Sequence, residues 1–287
     1  MKILVPYDFS EQSQNALEVA FSLANQSAKK NDVSIVLFHV IEPLMAEGSI
    51  HPDFRVDYSQ VEHFNRMVKA TKAELENIAG SAQYAGIEID VLVETGNFLQ
   101  QAKHHATKEN DVRLIVAGTS GASGLEEVLT GSNTEKLVRH MTCPVLAIPQ
   151  KVENFEVKSV LFATNLEEEQ FIALNRLQQL QVFWGNHIHL LYINTPNNFL
   201  TSKELEKRKE EFVYKSRLKN YTFHTYSDKN EEIGVLNASK EIDADVIVIP
   251  TNQRKGLWHF FMGSIAEGVV NHSEKPVLTV NLKLGYI

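Results

Sequence analysis

The sequence states one domain twice. Lys2-Ile-Leu-Val-Pro-Tyr-Asp8 returns as Lys158-Ser-Val-Leu-Phe-Ala-Thr-Asn165, and Ile35-Val-Leu-Phe-His-Val-Ile41 returns as Ile188-His-Leu-Leu-Tyr-Ile193. Leu114-Ile-Val-Ala-Gly118 is echoed by Val246-Ile-Val-Ile-Pro250, and Leu129-Thr-Gly-Ser132 by Phe261-Met-Gly-Ser264. Cys143-Pro-Val-Leu-Ala-Ile148 is echoed by Lys275-Pro-Val-Leu-Thr-Val280. Five blocks recur in one order, with a unit too long for a solenoid. The chain is therefore a tandem duplication, with domains expected at 1–150 and 151–287. The join near Gln150–Val157 is short and polar and has no Gly/Ser-rich linker, so the halves are expected to sit close together. A length of 287 residues suits two domains of ordinary size. The first copy is the longer one, its extra residues lying mainly between its second and third strands.

Each copy alternates short apolar runs with amphipathic stretches. In the first, the runs at 2–7, 33–41, 88–93, 112–117 and 144–148 read as buried strands. Helical spacing marks 11–29, 57–85, 97–110 and 133–141, and Ala16, Val19, Ala20 and Leu23 form one apolar stripe. In the second, strands are expected near 158–163, 187–193, 221–226, 245–249 and 276–281. Helices are expected there near 168–182, 200–219, 230–242 and 265–272. Near-continuous apolar strands separated by helices imply a parallel sheet covered on both faces. Each half is thus predicted to be a Rossmann-like, doubly wound α/β domain of five strands. Ligands of such sheets sit beyond the strand C-termini where the strand order reverses. That places a site at the loops after strand 1 (Asp8) and strand 4 (Gly118), beside the end of strand 2 (Val40).

Composition narrows the classes of partner. Hydrophobic residues make up 43% and charged residues 22%, which is globular composition and not that of a disordered chain. A net charge of −8 disfavours general binding to DNA or RNA backbones. The one cysteine, Cys143, precludes an intramolecular disulfide and a multi-cysteine zinc site, and reads as a buried residue. A reducing, cytoplasmic setting fits this usage. The N-terminal apolar run is too short for a signal peptide, and no stretch has the roughly 18 apolar residues of a membrane span.

After strand 4 the chain reads Gly118-x2-Gly121-x9-Gly131-Ser132-Asn133 and then turns helical. Glycines let a backbone approach an anion closely. The helix that follows offers unpaired N–H groups and a positive dipole end. Together with the Ser132 hydroxyl they form a candidate cradle for a polyphosphate. The same residues also carry a purely structural reading. Ser132-x-x-Glu135 is a capping box, Ser264-x-x-Glu267 repeats it, and glycine turns after strands are common. Asp8 is equally open between a ligand-binding carboxylate and a residue that starts the next helix alongside Ser10.

Pro-x-Asp-Phe-Ser at 6–10, Phe-His-Val-Ile-Glu at 38–42, the glycine pattern at 118–132 and Cys-Pro-Val-Leu at 143–146 together resemble the universal stress protein family. The resemblance runs over both copies. It implies the strand order 3-2-1-4-5 in each domain and pairing of the two domains through their last strands. It also implies binding of ATP or a related adenine nucleotide, with a divalent metal such as Mg2+ or Mn2+. Carried onto this chain, Asp8 and the Val40 backbone would meet the adenine or ribose, with Gly118 near the ribose. Gly121, Gly131, Ser132 and the Asn133 amide would hold the phosphates. The second copy departs from the pattern: Asn165 replaces the aspartate, Pro250 the first glycine and Gln253 the second, while Gly256, Gly263 and Ser264 remain. Proline lacks an N–H and fixes φ, so one nucleotide site is expected, in the first half.

Between Gly118 and Asn133 the only charged residues are Glu126 and Glu127, and phosphoryl transfer relies on cations. The leading reading is therefore a nucleotide-dependent switch or scaffold with an unidentified protein partner. A slow ATPase or autophosphorylating enzyme, and a nucleotide-independent protein–protein module, are the alternatives. Further homodimerisation stays open. Arg254, Lys255 and His259 give the second loop positive charge, read as a solvated face. His187-x-His189 places two imidazoles on one strand face, but with no third ligand visible in sequence it reads as a structural pair. His104-His105 reads as surface or packing, and Lys203–Lys209 as a solvated helix face. The segment 57–85, with Phe64, Met67, Val68, Leu75 and Ile78, reads as a covering helix whose approach, Met45–Asp57, is a candidate lid.

Overall fold

A computed structural model describes residues 1–27, 32–42, 58–119, 132–152, 155–183, 187–251 and 259–282. The first copy runs β1 (Lys2–Pro6), α1 (Glu11–Gln26), β2 (Ser34–Ile41), α2 (Tyr58–Ala79), β3 (Glu88–Thr95), α3 (Phe98–His105), β4 (Val112–Gly118), α4 (Ser132–His140) and β5 (Val145–Ile148). The second runs β6 (Ser159–Ala163), α5 (Phe171–Gln179), β7 (His187–Asn194), α6 (Ser202–Ser216), β8 (Tyr221–Ser227), α7 (Glu231–Glu241), β9 (Val246–Thr251), α8 (His259–His272) and β10 (Val277–Asn281). The strands form a single sheet of ten, in the order β3-β2-β1-β4-β5-β10-β9-β6-β7-β8. Each copy thus has the order 3-2-1-4-5 and is parallel throughout. The copies join by the antiparallel pair β5–β10, with Leu146 opposite Leu278.

Local chemistry explains the elements. Ser10 caps α1, its hydroxyl accepting from the Ser13 amide at 3.2 Å. The stripe of Ala16, Leu17, Ala20 and Leu23 that follows is wholly buried on the sheet. Asn97 and Asn230 cap α3 and α7 in the same way, and Thr201 with Glu204 forms a capping box on α6. One apolar layer packs Ile3, Val5, Ile35 and Leu37 against α1, and Leu4, Phe38, Ile115 and Ala117 face the opposite layer. Cys143 is buried in that second layer.

Three sequence expectations shift. Gly80 follows the end of α2, and the chain continues as a 3-10 turn at Ala82–Tyr84, whose Tyr84 hydroxyl accepts from Gln14 at 2.7 Å. The helix expected at 168–182 is flanked by 3-10 turns at Glu168–Gln170 and Leu180–Val182. Helix α8 reaches back to His259, so Ser264 lies inside it and cannot be an N-cap. The helix-compatible run Phe260-Phe261-Met262 carries the helix through Gly263.

Candidate functional site

The order in which the strands are laid down reverses between β1 and β4, the place where such sheets leave a crevice beyond the strand ends. Pairing of β1 with β2 runs to Pro6 opposite Phe38, and Tyr7 still donates its amide to the Phe38 carbonyl at 2.8 Å. Asp8 then leaves the sheet, and Phe9 takes a left-handed backbone, φ 66°. Leu166, its counterpart in the second copy, does the same at φ 63°. A positive φ on a bulky residue is strained, and both copies spend it on one sharp turn out of the first strand.

The turn settles how Asp8 and Ser10 divide their tasks. Ser10 is the helix cap, and Asp8 braces it: Oδ1 accepts from the Ser10 amide at 3.1 Å and from its hydroxyl at 2.5 Å. Burial works against the charge on Asp8, but the Ser10 and Ser13 hydrogen bonds outweigh it and hold the carboxyl below its ordinary value. Asp8 is therefore an anion at the rim of the crevice and remains exposed. Beside it the Phe9 ring, 38% exposed, stands 5.5 Å from the Tyr7 ring and 5.6 Å from His39. His39 Nδ1 lies 2.7 Å from the Tyr7 carbonyl.

Val40 follows from strand alternation. The Phe38 carbonyl faces β1, and the Ile41 carbonyl accepts from Gly96 on the β3 side. Val40, two residues past Phe38, turns its own N–H and C=O toward the β1 side, where β1 has ended. Its backbone edge thus opens on the crevice.

Gly118 ends β4 where α1 crosses it. A side-chain carbon there would lie 2.1 Å from the Gln12 carbonyl oxygen, so glycine is required by packing before any ligand is considered. The Gly118 carbonyl accepts from the Thr134 hydroxyl at 2.7 Å, which ties the first turn of α4 to the end of β4. Ser132 opens α4, and Asn133 is exposed on its first turn. Lys136 Nζ lies 3.4 Å from Asn133 Oδ1. The N-terminal end of α4, carrying partial positive charge, therefore faces the crevice with an ammonium beside it.

Asp8 follows the end of β1, Val40 lies at the end of β2, Gly118 ends β4 and Asn133 lies on the first turn of α4. Gly121 and Gly131 lie outside the described residues, as do Met45–Asp57, Gln253, Arg254, Lys255 and Gly256. The glycine pattern ends at Asn133 and does not by itself name Thr134 or Lys136. The signal was present, since both lie within one helical turn of the glycine pattern. In the second copy Asn165 Oδ1 accepts from the Glu167 amide at 3.1 Å, the same turn without the charge. Pro250 lies in β9 opposite Val280.

A sequence profile described as the universal stress protein family matches residues 1–149 and again 156–281. The universal stress protein YxiE of Bacillus subtilis is 32% identical over 149 residues, covering 51% of this chain and 97% of the relative. A universal stress protein of Synechocystis is 30% identical over 156 residues, covering 51% and 96%. Among solved structures, a universal stress protein from Archaeoglobus fulgidus superposes with a TM-score of 0.73 over 98% of both chains at 21% identity, a likeness of fold.

Proposed function

This chain belongs to the universal stress protein family, and from that premise we propose that its first half binds an adenine nucleotide, ATP foremost, and acts as a nucleotide-dependent switch or scaffold. The observation that carries the reading is the meeting, at one reversal of strand order, of an ionised carboxylate, an open backbone edge and a helix N-terminus. A purine or ribose offers donors to Asp8 and both donor and acceptor atoms to the Val40 backbone. The phosphates would lie toward the start of α4, near Ser132, Asn133 and Lys136, with Gly121 and Gly131 in the stretch of sequence between β4 and α4. A divalent metal would ride on the phosphates. No group of three His, Cys, Asp or Glu among the described residues is arranged to hold one. The neutral Asn165 and the missing amide of Pro250 support a single site.

The test is thermal denaturation with ATP and Mg2+. Binding to the folded state stabilises by about 2.7 kcal/mol at a hundredfold excess over Kd. Wild type should melt higher with millimolar ATP, and Gly131→Ala should not. No shift in either protein would overturn the proposal. Lys136 favours one second reading, slow hydrolysis, because it supplies a cation at the phosphate end. Labelled phosphate release from highly purified protein, lost in Lys136→Met, would establish turnover over pure binding.

A further inference from the structure

We propose that His187, His189 and His224 form a proton-sensitive clasp that holds strand β8 on β7 at neutral pH and loosens it on acidification. Strand β8 stands at the end of the sheet order, with β7 as its neighbour. His187 and His189 alternate onto one face of β7. The parallel register sets Thr222 opposite His189 and His224 opposite Leu191, which puts His224 on that same face. The rings of His187 and His189 are 4.6 Å apart, and those of His189 and His224 are 5.2 Å apart. His189 Nδ1 lies 3.0 Å from His224 Nε2, so an imidazole of β7 is bonded directly to one of β8. His187 reaches across as well, its Nδ1 3.0 Å from Asn220 Oδ1 and its Nε2 3.0 Å from the Thr222 hydroxyl. All three contacts tie β7 to β8 or to the residue that leads into it.

The bond between His189 and His224 survives one added proton and not two. A neutral imidazole has one N–H and one bare nitrogen, so the pair is complete when one of the facing atoms donates and the other accepts. A first added proton leaves an acceptor in the pair. A second leaves two N–H groups facing each other, with two positive rings and nothing between them to accept. His187 sharpens the effect. A hydroxyl serves a bare nitrogen as donor and an N–H as acceptor, so His187 keeps both of its contacts when it charges. Its charge then stands beside the His189 ring and disfavours a second one there.

The neighbouring elements set the direction of the response. Asp243 and Asp245, between α7 and β9, favour a charged His189, but burial, then His187 and His224, outweigh them and hold its pKa below the ordinary 6.5. Burial, then His187, holds His224 below 6.5 as well. Asp245 is engaged elsewhere, accepting from the Lys158 and Ser159 amides at 2.8 and 3.0 Å, and the Lys158 ammonium pairs with Glu156. Strand β6 sets Ser159 opposite His187 and Leu161 opposite His189. Helix α7 buries Val235 and Ala238 on this side of the sheet, its Glu241 accepts from the Tyr226 hydroxyl, and the Lys275 ammonium donates to the Ile242 and Ala244 carbonyls. A lowered folded value means that the opened form takes up protons more readily than the closed one. The clasp is therefore at full strength above pH 6.5 and weakens as pH falls toward the folded values. It lies toward the N-terminal ends of β7 and β8, away from the strand ends where the nucleotide crevice opens, and does not depend on that site.

Hydrogen exchange of the full chain at pH 7.5 and pH 5, read by mass spectrometry and corrected for the intrinsic pH dependence of amide exchange, tests the clasp. In wild type the protection of the β8 amides should fall about tenfold between the two conditions, the change expected when one proton is taken up on opening across one pH unit. The amides of β1 and β2 should keep their protection. With His189→Gln and His224→Gln combined, the two amides still bond each other but no longer titrate, and the fall in β8 should shrink to less than about twofold. His105→Gln, a histidine paired with Glu94 elsewhere, should show the wild-type fall. Where the double variant fails to fold, as judged by circular dichroism, the imidazole proton resonances of wild type decide, and those of His189 and His224 should titrate below 6.5. A wild type whose β8 protection is the same at both pH values would overturn the proposal, as would a full fall in the double variant or rings that titrate at the ordinary value.

Discussion

Gly118→Ala separates packing from ligand binding at the end of β4. The added carbon would stand 2.1 Å from the Gln12 oxygen, 2.5 Å from its carbonyl carbon and 2.9 Å from its Cβ. Ordinary contact begins near 3.4 Å, so the backbone of α1 must retreat by more than an ångström. It has no room to do so freely, because Ala16, Leu17, Ala20 and Leu23 are all fully buried behind it. Overpacking of this kind costs about 1–3 kcal/mol, and contact with backbone puts this case at the upper end. At about 2–4 °C per kcal/mol for a protein of this size, the first half should melt about 6–12 °C lower. Scanning calorimetry without nucleotide reads this directly. If Gly118→Ala melts within about 1 °C of wild type in the absence of ligand, the packing account is wrong and the glycine serves only a ligand. The second copy accommodates Pro250 at the matching position because its helix runs elsewhere: Glu168–Gln170 form a 3-10 turn, and α5 packs on β10.

Asp8→Asn should flatten the acid limb of stability. A carboxyl with a lowered folded pKa stabilises above its unfolded pKa, ordinarily 3.8, and loses that contribution as pH falls through the folded value. Urea midpoints at pH 3 and pH 6 should therefore differ less in Asp8→Asn than in wild type; an unchanged difference would refute this. Arg176→Met removes a buried guanidinium that donates to the carbonyls of Thr142, in the first copy, and Asn281, in the second. Loss of about 2–4 kcal/mol by urea denaturation is expected, and a loss below about 0.5 kcal/mol would show that the carbonyls find other partners. Residues 1–150 expressed alone should dimerise through β5, whose four residues are all buried beside β10 in the full chain; light scattering that finds only monomer at micromolar concentration would contradict this.

All ten strands were readable because buried parallel strands write continuous apolar runs, and the duplication let each half check the other. Helix ends were less readable. Gly80 ended α2 early, while Gly263, also a glycine, was carried through α8; a glycine alone does not say which it will do. The sequence pointed to Asp8 and Gly118 at the strand ends, but not to why position 118 is glycine. The approach of the Gln12 carbonyl is a contact between helix and strand far apart in sequence. The neighbourhood of His189 and His224 is hidden from the sequence in the same way. His224 meets His189 across a strand pair 35 positions apart, and only the register of β7 on β8 makes them neighbours.

The antiparallel β5–β10 pair relates the two copies by a local twofold, with like elements facing like across it. Helix α4 therefore meets its counterpart α8, and Arg139 in the last turn of α4 holds Glu267 of α8 through two bonds of 2.8 Å while also pairing with Glu135 at 2.9 Å. The opposite end of the same helix is tied to Gly118 by Thr134 and faces the crevice. Nine residues of helix, about 13 Å, join those two anchors. The second copy thus contacts, at Glu267, the far end of the helix whose near end is tied to Gly118.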